Sequence, residues 1–205
     1  RPPRSNLFPY TTLFRSKIIN FFKKKKLKKN DRVVAYMPNC KETVETFLAT
    51  ASLGGIWSSC SPDFGVSGVI ERFSQIKPKA LFVVDKYFYN GKEINVLERV
   101  SKILKKIKSI KYLIIINYPG TKYIEDKFYY KNVISFKWHP LNKFNSKPDK
   151  FKVFDFEKEL AILYSSGTTG KPKCICHSSG VVLLQHMTEH QLQLYIKAND
   201  NGSHI

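Results

Sequence analysis

The stretch Ser165-Ser166-Gly167-Thr168-Thr169-Gly170-Lys171-Pro172-Lys173 concentrates hydroxyl, glycine and ammonium groups. Four hydroxyl side chains and two glycines within its first six residues make a poor core and a poor helix. They make a good anion cradle. Glycines let backbone N–H groups converge on phosphate oxygens, and Ser and Thr hydroxyls add donors. The lysines add positive charge where a leaving pyrophosphate would gather negative charge. Pro172 stiffens the exit between Lys171 and Lys173. Ser, Thr, Gly and Pro are also ordinary turn residues, so composition alone leaves a surface hairpin equally open. One phosphate-binding alternative fails on spacing. A Walker A loop needs four residues between its glycines and a hydroxyl after its lysine, whereas Gly167 and Gly170 are two apart and Pro172 follows Lys171.

Other residues invite chemistry less specifically. His186-Met187-Thr188-Glu189-His190 fits H-x-x-E-H, which on a helix sets two imidazoles on one face, as in an inverted zinc metalloprotease. Two ligands do not make a site, and downstream only Asp200 could supply a carboxylate. His177 follows the second strand beside the loop and is expected to be structural. Trp57 and Phe64 flank a Ser-rich turn and are expected in the core. Cys40, Cys60, Cys174 and Cys176 show no C-x-x-C spacing and are expected as reduced, mostly buried thiols.

An apolar strand at Ala161–Tyr164 runs into the loop and a second, Cys174–His177, leaves it. Upstream, short apolar runs alternate with segments of helical spacing: strands at Arg32–Met37, Ile56–Cys60, Ala80–Val84 and Tyr112–Ile116, helices at Glu42–Leu53, Val66–Gln75 and Asn95–Lys106. Gly54-Gly55 stops the first helix and Lys77-Pro78 the second. This alternation implies βαβ units, and the fold class is α/β with a doubly wound, mainly parallel sheet. Tyr118–Lys150 lacks a clear period and is expected to be a long connection with a short strand at Val133–Phe136. The strand, loop, strand order places the loop at the sheet's edge or rim.

With 42% hydrophobic residues the 205-residue chain can bury a sizeable core. No apolar run is long enough to cross a membrane, and the N-terminus lacks a secretory h-region, so a cytoplasmic protein is expected. The net charge of +19 invites nucleic acid or an anionic membrane as partner. Against that, the basic residues run from Lys17 to Lys197 rather than clustering in one patch. Lys, Asn, Ile, Phe and Tyr excess is also what an A/T-rich coding sequence yields. Neither nucleic acid nor membrane is expected as a partner. Within residues 1–16, PYTTLFRS resembles the translation of a DNA-sequencing adapter. That segment is expected to lie outside the domain, which then spans 17–205.

SSGTTGKPK resembles the phosphate-binding motif of the adenylate-forming superfamily, and the match has no departure. DRVVAYMPNCKETVETFLATASLGGIWSSCSPDFG, at Asp31–Gly65, is similar to the same superfamily's early region. WSSCSPDFG, RFSQIKPKALF and YNGK resemble the acetoacetyl-CoA synthetase branch. The resemblance implies a two-step ligase. Acetoacetate attacks the α-phosphate of ATP, carried with Mg²⁺, and coenzyme A thiol then displaces AMP. It implies that Ser165, Ser166, Gly167, Thr168, Thr169, Gly170, Lys171 and Lys173 hold the β and γ phosphates, with Thr168, Thr169, Gly170 and Lys173 in direct contact. The family's adenine-binding segment, Mg²⁺-binding glutamate, ribose-binding aspartate and adenylation lysine have no counterpart in these residues. The chain is therefore expected to be part of an N-terminal AMP-binding domain, inactive by itself. The other readings are a non-catalytic nucleotide-binding chain, a ligase of another short acyl acid and, more remotely, a basic nucleic-acid-binding module.

Overall fold

The computed structural model describes residues 9–118, 128–137, 152–165 and 170–195. Helix α1 (Pro9–Lys24) leads into strand β1 (Arg32–Tyr36), then α2 (Lys41–Ser52) and β2 (Ile56–Cys60). Helix α3 (Val66–Ile76) and strand β3 (Ala80–Val84) follow, then the short strands β4 (Lys86–Tyr89) and β5 (Lys92–Asn95). After α4 (Leu97–Lys106) come β6 (Tyr112–Ile116), β7 (Ile134–Lys137), β8 (Glu159–Ser165) and β9 (Lys173–Ser178). Helix α5 (Ser179–Thr188) continues into a π-helical turn at Glu189–Gln193.

Among the described residues seven strands form one sheet, ordered β7-β6-β3-β1-β2-β8-β9. All neighbours pair parallel except β8 and β9. The mainly parallel α/β expectation therefore holds. The β-branched runs RVVAY, ALFVV and YLIII supply the central strands. Every residue of β3 is buried, so both faces of the sheet are covered, as a parallel sheet requires. Helix α1 packs on α2 and α3 on α4. On the α1 side, Phe22 meets Phe82 of β3 edge-on at 5.9 Å and Phe21 meets Phe136 of β7 at 4.8 Å.

Several expectations change. The boundary expected at Lys17 falls inside α1, and Arg15 and Ser16 are buried, so the helix runs through it. The side chains of Leu7, Phe8, Leu13 and Phe14 lie outside the described set. A hairpin, β4 and β5, was not expected. Its turn Asn90-Gly91, with φ of 48° and 72°, is a two-residue type I′ connection. Phe64 is exposed rather than in the core, while Trp57 is buried. Cys174 and Cys176 are exposed on the edge strand, and only Cys60 is fully buried.

The lysines, dispersed in sequence, are gathered by the topology. Lys23–Lys29 precede β1, Lys77 and Lys79 precede β3, Lys105–Lys111 precede β6, and Lys131 precedes β7. These strands are parallel, so all four groups lie at one edge of the sheet. Backbone bonds tie them together: Lys79 N–H donates to the Arg32 carbonyl at 2.8 Å and Lys111 N–H to the Lys79 carbonyl at 2.9 Å.

Candidate functional site

Strands β8 and β9 pair antiparallel with Ser165 opposite Lys173 and Tyr164 opposite Cys174. The loop between them thus begins and ends at directly paired residues, at the outer end of the sheet where β9 is the edge strand. Prediction of a strand, loop, strand arrangement at the sheet rim is met. Ser166, Gly167, Thr168 and Thr169 lie outside the described residues. Of the rest, Gly170, Lys171 and Lys173 are exposed, Ser165 is half-buried and Pro172 is buried. Gly170 has a φ of 153°, a region essentially reserved for glycine. Beyond its chain neighbours, no described residue lies within 4 Å of the place where its Cβ would stand.

The loop's position follows from the winding of the sheet. Strand β2 sends its chain back across β1 to β3, whereas its parallel neighbour β8 sends its chain outward to β9. Parallel neighbours bring the segments that follow their carboxyl ends to the same end of the sheet. The loop after β8 and the turn at residues 61–65 after β2 both stand there. The lysine-rich edge is the opposite one.

Side chains outside the sequence-derived set hold this region in place. Tyr36 Oη donates to the Phe64 carbonyl at 2.8 Å and lies 3.0 Å from the Pro62 carbonyl. Arg99 Nη1 donates to the same Pro62 carbonyl at 2.9 Å, and Tyr87 Oη reaches it at 3.3 Å. Burial pushes the Tyr36 phenol above its ordinary range while neighbouring Arg99 works against that. From α3, the Arg72 guanidinium stacks over Phe64 at 4.4 Å and lies 5.8 Å from the Tyr164 ring. Gln75 Nε2 donates to the Pro172 carbonyl at 3.0 Å. Tyr164 is raised chiefly by burial, and its Oη sits 3.3 Å from Ser58 Oγ. The i, i+3 spacing of Arg72 and Gln75 on α3 could have signalled a shared face. Nothing in the sequence points from Arg99 to Pro62.

The remaining candidates stand apart from the loop. The Cys60 thiol is pushed up to about 12 by burial, so it offers no thiolate. Buried Lys158 is lowered by desolvation, a shift that can mark a functional group. It precedes β8, however, at the end opposite the loop, and donates to the Glu159 carbonyl at 2.6 Å. An apolar hollow of about 490 Å³ opens between β8 and α5, with His177, Gln185 and His186 as its polar lining; no described loop residue lines it. His186 Nδ1 lies 3.6 Å from Glu189 Oε2, and the His186 and His190 rings are 5.9 Å apart. Among the described residues no three His, Cys, Asp or Glu side chains come together as a metal site.

With this geometry in place, the comparisons with known proteins are specific. The family model described as AMP-binding enzyme matches residues 15–201. The chain is 43% identical over 176 residues to acetoacetyl-CoA synthetase of Gallus gallus, covering 85% of this chain and 26% of that one. It is 45% identical over 166 residues to acetoacetyl-coenzyme A synthetase of Rhizobium meliloti, covering 78% and 24%. A solved acetoacetyl-CoA synthetase from Streptomyces lividans superposes with a TM-score of 0.82 at 32% identity, covering 93% of this chain and 28% of that one. The chain thus spans about a quarter of the length of the curated relatives it matches.

Proposed function

The chain belongs to the AMP-binding enzyme family, and on that premise we propose that it supplies the phosphate-binding part of an AMP-forming ligase joining acetoacetate to coenzyme A. The observation that carries this reading is the paired mouth of the loop, Ser165 opposite Lys173, at the carboxyl edge of the sheet in a chain 43% identical to an acetoacetyl-CoA synthetase. The acetoacetate carboxylate attacks the α-phosphorus of ATP. The bond to pyrophosphate breaks, leaving acetoacetyl-AMP, and the coenzyme A thiol then displaces AMP to give the thioester.

In this reading Ser165, Ser166, Gly167, Thr168, Thr169, Gly170, Lys171 and Lys173 hold the β and γ phosphates. Their work is positioning and charge stabilisation, since pyrophosphate departs with the negative charge. Mg²⁺ would enter with ATP as its substrate complex. The AMP-binding domain is drawn from residue 15, where the family match begins, rather than from 17. Small molecules are its partners. No described helix is long and apolar enough to cross a membrane, and we place the protein in the cytoplasm.

The test is ATP–pyrophosphate exchange in the full-length protein. Exchange is expected with acetoacetate. Exchange with acetate and none with acetoacetate would overturn the substrate assignment, and exchange with neither acid nor any other short carboxylate would overturn the ligase reading.

A further inference from the structure

The carboxamide of Gln75 makes two hydrogen bonds through one nitrogen. Its Nε2 donates to the Glu71 carbonyl one turn back at 2.8 Å and to the Pro172 carbonyl at 3.0 Å. Both partners are acceptors only, which fixes the nitrogen end of the amide toward them. The first bond anchors the side chain to its own helix. The second spans from α3 to the exit of the loop, 97 residues away in sequence.

The Pro172 carbonyl belongs to the peptide unit whose nitrogen is that of Lys173. A hydrogen bond to this oxygen therefore holds the plane from which Lys173 departs. Pro172 has no N–H and a ring that fixes φ, so the peptide on its carboxyl side is the freer joint at this point. Gln75 closes it. Three residues earlier on the same helix, Arg72 approaches the strand that enters the loop, with its guanidinium 5.8 Å from the Tyr164 ring beside Ser165. Arg72 is in turn held by the Gly68 carbonyl at 2.9 Å and by the Phe64 ring. Phe64 belongs to the turn that Tyr36 grips through its carbonyl. Helix α3 thus holds the exit of the loop, approaches the strand that enters it and is braced against the turn after β2.

We infer that Gln75 is a positioning residue of the phosphate loop: by clasping the Pro172–Lys173 peptide it sets where the Lys173 ammonium is presented. The inference rests on the phosphate-binding reading above for its functional part. Gln75 touches no reacting atom; it acts through Lys173.

Hydrogen–deuterium exchange of the nucleotide-free 205-residue chain, followed over residues 170–178, tests the clasp. Gln75→Met keeps length and removes the donor, and is expected to quicken exchange there about threefold to tenfold, the range one partly exposed hydrogen bond spans. Gln75→Lys restores a donor of similar reach and is expected to return exchange toward wild type. Unchanged exchange in Gln75→Met, or equal quickening in β1 and β3, overturns the clasp. Calorimetric titration with pyrophosphate tests the positioning. Gln75→Met is expected to weaken binding severalfold with the melting temperature nearly unmoved, and wild-type affinity in a variant with quickened exchange overturns the positioning role. A wild-type chain whose loop responds in exchange but which binds no pyrophosphate, alone or within the full-length protein, sustains the clasp and overturns the phosphate-binding reading.

Discussion

Lys173 carries the charge that the proposed chemistry needs at the moment pyrophosphate leaves. Its substitution by Ala in the full-length enzyme is expected to slow pyrophosphate exchange by about a hundredfold to a thousandfold, as when another preorganised donor to developing charge is removed. Unchanged exchange would move the phosphate contact elsewhere. Lys173 stands out in the sequence as a candidate because lysine, glycine and hydroxyl types cluster there. Gln75 and Arg99 do not, because what they touch, Pro172 and Pro62, is a backbone carbonyl remote in sequence and carries no residue-type signature. Glu45 makes the same point in the core. Its carboxylate is buried on α2, 3.6 Å from Lys41 Nζ, and its carboxyl is pushed up to about 7 from 4.5, first by burial, with Lys41 opposing. The folded chain holds this proton more tightly than the unfolded chain. The resulting stability is full below about pH 4.5 and is lost as pH rises through about 7. Thermal melts from about pH 5 to 8 should show a decline in the wild type that Glu45→Gln, neutral throughout, lacks. Parallel declines in the two proteins would refute it.

Elements were read most accurately where the periodicity is short and the boundaries are chemical. Strands β2, β3 and β6 coincide with their expected spans: β3 and β6 are apolar runs rich in β-branched and aromatic residues, and β2 is bounded by Gly55 before it and Pro62 soon after it. The β4–β5 hairpin was missed although its signal was present: Asn90-Gly91 between two four-residue strands is the strongest short hairpin cue. Lysines and a glutamate on those strands break the apolar alternation that would otherwise have announced them. The Gly54-Gly55 stop, by contrast, was both legible and mechanically clear. Gly54 N–H donates to the Ala51 carbonyl at 2.9 Å and Gly55 N–H to the Thr50 carbonyl at 2.9 Å, the paired bonds of a Schellman ending. Gly54 has a φ of 70°, and a Cβ there would come within 2.7 Å of the Phe154 ring. Gly54→Ala is therefore expected to destabilise the chain by about 1–3 kcal/mol, combining backbone strain with displacement of that ring. A urea midpoint that does not fall would show that the helix end tolerates another geometry.

At the scale of the whole molecule the sheet sorts chemistry by edge. The loop stands beyond the carboxyl end of β8, and the lysines before β1, β3, β6 and β7 stand at the amino end of the sheet. Sequence could not show this, because position along the chain does not reveal which loops share an edge; parallel pairing does. A net charge of +19 with many of its lysines gathered on one rim repels itself in the folded state. Lys79 reaches Asp31 at 2.6 Å, and Asp31 is the sole acidic residue among the described residues of the loops preceding those four strands. Mobile ions screen charges at separations near the Debye length, about 10 Å at 0.1 M salt. Raising sodium chloride from about 0.01 M to 0.15 M should therefore raise the melting temperature, by about 2–4 °C for each kcal/mol of repulsion removed in a chain of this size. Exchanging Lys105, Lys108 and Lys111 for Glu should raise the low-salt melting temperature and flatten the salt response together. A melting temperature that falls with salt would mean that attraction, not repulsion, dominates the rim, and a triple variant with the wild-type slope would place the repulsion elsewhere in the molecule.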